Sequence, residues 1–255
     1  MRHIQILSNA RSGSSYLWHV IRKYVAPTQT PHAEDLLHLE EPFEELHIKK
    51  RFPDEIPGQI MFRRIDHIRN NHNVVVKNHN NQLNTLSVDY PHIYKEYLKT
   101  DPKTIVLIRR DLFETTLSHC IARELGQWYS YEKVDPITIK PQSLTSLLFN
   151  RVNNTIQLAM NSHGFDYTEV VYYEDFKGWP RADFAQLDIC PVDESMLRPI
   201  KMEEVGRAPD KREVVRNYDE LKRVAEDSIE NLRKRNMLKN LTVEGTTITH
   251  VEFDK

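Results

Sequence analysis

A short polar loop near the amino terminus carries the residues best suited to bind an anion. The mostly apolar residues 4–8 lead into it, and apolar residues recur at helical spacing after it. This pattern predicts a strand, a loop and a helix, with backbone N–H groups and the helix dipole directed at the loop. Ser12, Ser14 and Ser15 add hydroxyl donors, and Arg11 adds a cation. The loop is therefore predicted to bind a phosphate or a similar anion.

The loop lacks residues that a nucleotide-hydrolysing loop requires. A nucleotide-hydrolysing loop has two glycines and a Lys-Ser or Lys-Thr pair for the β- and γ-phosphates and Mg²⁺. Here there is one glycine, Gly13, and the cation is Arg11, two residues before it. A serine-rich turn that only caps a helix is the alternative interpretation.

Residues 10–17 resemble the 5′-phosphosulfate loop of the sulfotransferase superfamily, which typically reads Pro-Lys/Arg-Ser-Gly-Thr/Ser-Thr/Ser-Trp/Tyr-Leu. Ala10 stands where the family has proline, and the match continues position by position to Leu17. The resemblance implies that the donor 3′-phosphoadenosine-5′-phosphosulfate (PAPS) binds here. The residues so implied are Arg11, Ser12, Gly13, Ser14, Ser15 and Tyr16.

A second polar triplet follows the β-branched run at 74–76, which predicts a buried parallel strand over residues 73–79. Ligands of open α/β sheets bind outside the carboxyl ends of strands. Lys-Asn-His resembles the Lys-Thr-His segment of cytosolic sulfotransferases, where the histidine is the general base. The resemblance implies His79 as base and Lys77 as a cation at the transferring group, with Asn78 replacing threonine. A purely structural His79 is the alternative.

A third candidate segment follows the apolar strand predicted at 104–108. A 3′-phosphate needs a permanent cation with forked hydrogen bonding and a hydroxyl from the adjacent helix. Arg110 and Ser118 can supply both, and they keep the eight-residue spacing of the segment that binds the 3′-phosphate in sulfotransferases, which this stretch resembles. Leu112 replaces the usual proline. The alternative is an arginine paired with an acidic neighbour and a serine on a helix face.

Two later segments resemble the family less closely. Tyr-Glu-Asp after a strand predicted at 168–173 is similar to a recurrent sulfotransferase motif, which implies Tyr173 near the nucleotide. Family members also bring a basic loop over the 3′-phosphate near the end of the domain. The basic residues available here are interpreted as a solvated charge run, which leaves the closing residue open: Arg207, Lys211, Arg212 and Arg216.

Strand and helix patterns alternate along the chain, and the polar signals follow strands. This predicts an α/β fold, a three-layer sandwich with a central parallel sheet and a P-loop-like phosphate loop. Helices are predicted near 59–71, 92–98, 113–121, 144–159 and 221–232, and a β-hairpin within 241–253. The basic residues of the first of these, Arg63, Arg64 and Arg69, are interpreted as a solvated face. Irregular segments are predicted at 27–57, with one short helix as an option, and at 126–141 and 179–209.

Composition limits the remaining possibilities. The 255 residues suit a single domain, 1–255, and a net charge of −2 gives no reason to expect a nucleic-acid partner. No apolar segment is long enough to span a membrane. The two cysteines, Cys120 and Cys190, suit a reducing compartment, so a cytoplasmic location is predicted.

Together these resemblances imply a PAPS-dependent sulfotransferase. It would move a sulfonyl group to a hydroxyl or amine of an acceptor, of carbohydrate or small-molecule type, with Arg11, Lys77 and His79 as catalytic residues and no metal. The partners implied are the nucleotide donor and an unidentified acceptor. Two alternatives stay open: a P-loop kinase for small molecules or nucleotides, and a non-catalytic nucleotide-binding protein of the same fold.

Overall fold

The structure is a computed structural model that describes residues 3–20, 41–70, 74–126, 135–161, 164–165, 167–176 and 210–253. The chain folds into two compact units. Unit 1 comprises Met1–Ile108, Met160–Pro199 and Lys255, and unit 2 comprises Arg109–Ala159 and Ile200–Asp254. The single domain expected from the sequence stays a prediction.

Unit 1 is built on a four-stranded sheet in which every neighbouring pair is parallel. The strand order β2-β1-β3-β4 places β1 between its two successors, so the chain turns from one side of the sheet to the other at β1. Loops at such a switch point are where ligands of open α/β sheets bind. The strands are β1 (Ile4–Ser8), β2 (Val75–His79), β3 (Lys103–Ile108) and β4 (Tyr167–Tyr172). The predicted α/β class and its central parallel sheet are confirmed.

Helices cover both faces of this sheet. Successive side chains of a strand point to opposite faces, and Lys77 Nζ of β2 contacts Ser15 Oγ of the first helix whereas Asn78 Nδ2 contacts Tyr97 OH. The helices that carry Ser15 and Tyr97 therefore lie on opposite faces, which makes three layers. The described helices of unit 1 are α1 (Ser14–Val20), α2 (Glu45–Arg51), α3 (Pro57–Asn70), α4 (Asn80–Asp89), α5 (Pro91–Leu98) and the short α8 (Tyr173–Phe176).

The sheet interior contains a polar chain between its apolar residues. Gln5 accepts hydrogen bonds from Asn78 Nδ2 at 3.0 Å and Tyr97 OH at 2.6 Å, and its own Nε2 donates to Thr104 Oγ1 at 3.1 Å. All four residues are fully buried. A buried polar group without a partner raises the free energy of the folded state. These hydrogen bonds therefore fix the register of β1 against β2 and β3.

Unit 2 contains helices and a two-stranded antiparallel hairpin. The hairpin pairs β5 (Leu241–Glu244) with β6 (Thr247–Val251), as predicted. In the last helix, buried residues recur every three to four positions on one face, which is the reason this helix packs: Leu221, Ala225, Ile229 and Leu232. The helices are α6 (Leu112–Leu125), α7 (Pro141–Asn161, whose last two residues belong to unit 1), α9 (Lys211–Val214) and α10 (Tyr218–Lys234).

Parts of the predicted irregular segments lie outside the described residues, namely 27–40, 127–134 and 179–209. Arg207 and Cys190 belong to these parts. Cys120 is buried, and burial raises the pKa of its thiol to about 11. None of the described helices combines the length and the apolar character needed to cross a bilayer.

Candidate functional site

The loop after β1 is shaped by two residues in the left-handed region. Arg11 has a φ of 64° and Gly13 a φ of 86°. Ser12 Oγ donates to Asn9 O at 2.6 Å, so the side chain of Ser12 closes the loop on itself. A left-handed residue turns the chain sharply, and successive N–H groups in such a turn point into one concavity, which is the geometry of an anion nest.

Gly13 is packed against the ring of Tyr173. A Cβ built on Gly13 would lie 2.3 Å from Tyr173 Cδ2 and Cε2, which is closer than two non-bonded carbon atoms can approach. Gly13 is therefore required both for its left-handed φ and for the space that the ring occupies. Tyr173 begins α8 directly after β4, and its ring joins the Tyr-Glu-Asp motif to the loop.

The end of β2 presents Lys77 and His79 on one face of the sheet, because they are two positions apart in a strand. Lys77 Nζ donates to Ser15 Oγ at 3.0 Å, although these residues are 62 positions apart. The lysine side chain is only 2% exposed. Asn78, which replaces the threonine of the family motif, points to the other face and takes part in the buried polar chain.

A glutamate that the sequence did not single out joins these two side chains. Glu41 Oε1 lies 2.9 Å from Lys77 Nζ and 2.9 Å from His79 Nε2. Its Oε2 accepts from Gln82 Nε2 at 3.2 Å. Burial alone would raise the pKa of Glu41, but the hydrogen bond from His79 and the charge of Lys77 outweigh it and hold that pKa well below its usual range. Glu41 is therefore a largely buried, ionised carboxylate.

Several contacts fix the position of Glu41. Its backbone N–H donates to Lys77 O at 2.8 Å along the edge of β2, and its φ is 56°. Phe43 packs edge-to-face on Tyr97 with ring centroids 4.9 Å apart. Arg64 of α3 donates to Pro42 O, so this arginine is not part of a solvated basic face as interpreted from sequence. Arg63 and Arg69 do make surface ion pairs, with Glu55 and Glu96 respectively.

The sequence contained little sign of Glu41. It lies in an irregular, acid-rich segment without periodicity, 36 positions before Lys77. The apolar Phe43 was the available indication that this segment packs against the core. The contact depends on the edge of β2, which only the assembled sheet defines.

His79 is held by two further interactions. Its backbone N–H donates to Gln82 Oε1 at 2.9 Å at the start of α4. Its Nε2 faces Glu41, whereas its Nδ1 is buried and has no hydrogen-bond partner among the described residues. The side chain of His79 also faces the backbone N–H of Gln82, in a capping box at the start of α4.

In unit 2, the segment with Arg110 is tied to the carboxyl-terminal hairpin. Ile248 N donates to Arg110 O at 2.9 Å, and Leu112 N donates to Thr246 O at 2.9 Å. Proline has no N–H, so the replacement of the family's proline by Leu112 supplies the donor for this second hydrogen bond. Asp111 caps α6 by accepting from Glu114 N at 2.9 Å. Ser118 lies on α6 and is 6% exposed.

Lys211 of the basic run is largely buried rather than solvated. Its Nζ donates to Glu114 O at 2.7 Å and to Glu114 Oε2 at 2.6 Å, and Tyr218 OH donates to Glu114 Oε1 at 2.5 Å. Burial and the charge of Arg109 lower the pKa of Lys211. The guanidinium of Arg212 lies 5.2 Å from the ring centroid of Tyr218. The interpretation of this run as a solvated face is therefore wrong for Lys211.

The predicted residues fall into two groups. Unit 1 assembles the loop, the end of β2 and the start of α8: Arg11, Ser12, Gly13, Ser14, Ser15, Lys77, His79 and Tyr173. Unit 2 carries Arg110 and Ser118. The side chain of Tyr16 is outside the described residues. No three His, Cys, Asp or Glu side chains of the described part come together as metal ligands would.

Neither a family model nor a curated protein matches this sequence. Among solved structures, the chain is similar to a sulfotransferase domain from the curacin biosynthetic pathway, at a TM-score of 0.42 and 14% identity, with 79% of this chain and 78% of that chain covered. It is also similar to a structure of the PezAT chromosomal toxin-antitoxin system of the human pathogen Streptococcus pneumoniae, at a TM-score of 0.31 and 14% identity, with 91% and 87% covered. Similarities at this level carry no argument about function.

Proposed function

We propose that this protein is a sulfotransferase that moves a sulfonyl group from PAPS to a hydroxyl or amine of an acceptor. The observation that supports it most is the contact of Lys77 Nζ with Ser15 Oγ at 3.0 Å. Two motifs recognised independently in the sequence, one for the phosphosulfate and one for the transfer, are neighbours in unit 1. They follow the adjacent parallel strands β1 and β2, so the sheet brings a candidate phosphate loop and a candidate transfer group to the same edge.

The residues of unit 1 fit the charge of the donor. A phosphosulfate is anionic and carries only oxygen acceptors, so it needs N–H and O–H donors and fixed cations. The loop offers turned backbone around Arg11 and Gly13, and a buried lysine at its edge. We assign the 5′-phosphosulfate to Arg11, Ser12, Gly13, Ser14, Ser15 and Tyr16.

The remaining nucleotide contacts are proposed from the sequence resemblance. Arg110 and Ser118 are assigned to the 3′-phosphate, since a guanidinium and a hydroxyl are the groups that this ligand needs. Tyr173 is proposed to act chiefly by holding the loop, because its ring occupies the space beside Gly13.

Transfer is an in-line displacement at sulfur. The acceptor oxygen or nitrogen forms a bond to sulfur while the bond from sulfur to the 5′-phosphate oxygen breaks, and the electron pair leaves with adenosine 3′,5′-bisphosphate. His79 takes the proton that the acceptor loses. Arg11 and Lys77 stabilise the charge that develops on the departing oxygen and the sulfonyl oxygens. In this scheme, fixed cations do the work that Mg²⁺ does in a kinase.

The acceptor is proposed to be a carbohydrate or a small molecule. A cytoplasmic location is proposed on the cysteine content alone.

The test is calorimetric titration of the full chain with adenosine 3′,5′-bisphosphate, beside ATP with Mg²⁺. We expect the bisphosphate to bind without metal, and Arg110→Ala to weaken it at least tenfold because a charge-assisted contact is lost. Arg63→Ala is the matched control, since it removes an exposed arginine that pairs with Glu55.

Binding of ATP with Mg²⁺ in place of the bisphosphate would favour the kinase and overturn the proposal. Binding of the bisphosphate without release of bisphosphate from PAPS, across carbohydrate, phenol and amine acceptors, would favour the non-catalytic nucleotide-binding protein.

A further inference from the structure

Glu41 is the residue through which the two candidate catalytic side chains of β2 are joined. One of its oxygens is 2.9 Å from both Lys77 Nζ and His79 Nε2, in a cluster that is 14% exposed or less. We propose that Glu41 is a positioning residue that fixes His79 in the Nε2–H tautomer, so that Nδ1 is the nitrogen that takes the proton of the acceptor. The role of Nδ1 rests on the proposed function, whereas the tautomer is a property of the protein without substrates.

The carboxylate of Glu41 is a poor proton acceptor for the reaction itself. Both of its oxygens accept from donors of the protein, Oε1 from Lys77 and His79 and Oε2 from Gln82. Its lowered pKa keeps it ionised at neutral pH and weakens it as a base. A group of this kind orients a neighbouring imidazole and stabilises the imidazolium, as the carboxylate does in a Ser-His-Asp triad.

An ionised carboxylate can only accept a hydrogen bond, so the ring nitrogen that faces it must carry the proton. That nitrogen is Nε2, at 2.9 Å. A neutral imidazole then has its lone pair on Nδ1, which is buried without a hydrogen-bond partner among the described residues. The nitrogen able to accept a proton is thus Nδ1.

A second unpartnered polar atom lies on the strand next to His79. Ser8 is the register partner of His79 on the adjacent strand β1, and parallel partners place their side chains on the same face. Ser8 Oγ is fully buried and has no hydrogen-bond partner in the described part of the chain. Ser8 Oγ is therefore a buried hydroxyl at the strand end next to His79.

Among the described residues, few other titratable side chains lie next to the cluster. Lys77 shares Glu41 with the imidazole, Glu44 Oε2 accepts from Gln82 Nε2 at 3.0 Å, and His47 Nδ1 lies 3.7 Å from Glu41 Oε2. Glu44 therefore provides a matched control, because it belongs to the same segment and bonds to the same glutamine.

The first measurement is a two-bond ¹⁵N–¹H correlation spectrum of the histidine side chains of the full chain without ligands. The chain has twelve histidines. The signal of His79 is the one that is present in the wild type and missing in His79→Gln. We expect the Nε2–H tautomer in the wild type and in Glu44→Gln, and a mixture of tautomers in Glu41→Gln, because an amide can donate as well as accept. An Nδ1–H tautomer in the wild type would overturn the inference, even if Glu41→Gln fails to fold.

The second measurement separates binding from transfer. In Glu41→Gln, we expect kcat to fall about 100-fold while the affinity for adenosine 3′,5′-bisphosphate changes less than threefold, since a misplaced base affects the chemical step. Glu44→Gln should change neither. An unchanged kcat in Glu41→Gln would overturn the inference and leave the proposed function in place.

The histidine spectrum also distinguishes failure of the sulfotransferase proposal from failure of the proposed role of Glu41. Failure of bisphosphate binding and of transfer, with the Nε2–H tautomer present and dependent on Glu41, would overturn the sulfotransferase proposal but keep Glu41 as the residue that positions His79.

Discussion

Two clusters in this protein combine a lysine and a glutamate in a buried or half-buried setting. The β2 cluster consists of Glu41, Lys77 and His79 in unit 1. The α6 cluster consists of Glu114, Lys211 and Tyr218 in unit 2. In both, the glutamate has a lowered pKa, because the charge and hydrogen bonds of its partners outweigh the effect of burial.

The third partner distinguishes the two clusters. In the α6 cluster it is Tyr218, whose pKa burial and Glu114 raise to about 12, so the phenol keeps its proton and serves as a fixed donor. In the β2 cluster it is an imidazole with one nitrogen without a described partner. Imidazole can take up and release a proton near neutral pH, whereas a phenol of this kind cannot. The pair of Lys211 and Glu114 therefore stabilises the fold, whereas the pair of Lys77 and Glu41 belongs to a candidate reaction centre.

The largest expected difference comes from replacing each lysine by methionine. Lys77→Met should lower the free energy of unfolding by about 3–5 kcal/mol, because it leaves a buried carboxylate without its cation. It should also lower transfer about 100-fold or more through the lost charge at the sulfonyl group. Urea unfolding and release of bisphosphate from PAPS measure the two effects.

Lys211→Met is the matched control. Its side chain and that of Glu114 are 12% and 27% exposed, so water can solvate the remaining carboxylate, and a loss of about 1–3 kcal/mol is expected. Transfer should change less than threefold. Equal losses of transfer in the two variants would break the distinction between the clusters.

Gly13→Ala should be the next largest change. The left-handed φ costs an alanine about 1–2 kcal/mol, and displacement of the Tyr173 ring adds about 1–3 kcal/mol. We expect a loss of about 3 kcal/mol in urea unfolding and at least a tenfold loss of bisphosphate affinity. Gly58→Ala is the control, since its Cβ would meet only ordinary contacts at 3.5 Å and a helical alanine is favoured over glycine by up to about 1 kcal/mol. A Gly13→Ala protein as stable as Gly58→Ala would contradict the close packing on Tyr173.

The dependence of stability on acidic pH tests whether the pKa values of Glu41 and Glu114 are lowered in the folded protein. A carboxyl group whose folded pKa lies below its unfolded value of 4.5 stabilises the protein above that value, and this stability is lost as the pH falls through the folded pKa. Wild-type stability should therefore decline as the pH falls below about 5, and Glu41→Gln should decline less steeply. Glu114→Gln should show a smaller change of slope, because its cluster is more exposed and better screened. Urea midpoints at about pH 5, 4 and 3 measure these slopes, and a steeper decline in Glu41→Gln than in the wild type would contradict the lowered pKa.

Tyr218→Phe should have the smallest effect. It removes the hydrogen bond to Glu114 Oε1 but keeps the edge-to-face contact with Phe113, at 5.2 Å between ring centroids. A loss of about 1 kcal/mol is expected, with bisphosphate binding and transfer unchanged. A Tyr218→Phe variant that lost transfer while keeping its stability would place the α6 cluster in the reaction as well.

The sequence by itself determined the α/β class, the strands and most helices. Apolar runs such as 104–108 and the spacing of Leu221, Ala225 and Ile229 record which faces are buried, so local periodicity predicts the elements directly. The loop at Arg11–Gly13 and the placement of Lys77 and His79 at a strand end were predictable for the same reason, since each motif is contiguous in the chain.

Only the tertiary structure decided the partners of these residues. Three residues contact partners that are far from them in the sequence: Glu41, Arg64 and Lys211. A single sequence does not show which distant residues come into contact. The roles of Asn78 and Leu112, which depart from the family pattern, likewise became clear only once the strand face and the hairpin were placed. Periodicity tells which side of an element is buried, but the identity of what it is buried against depends on how the elements assemble.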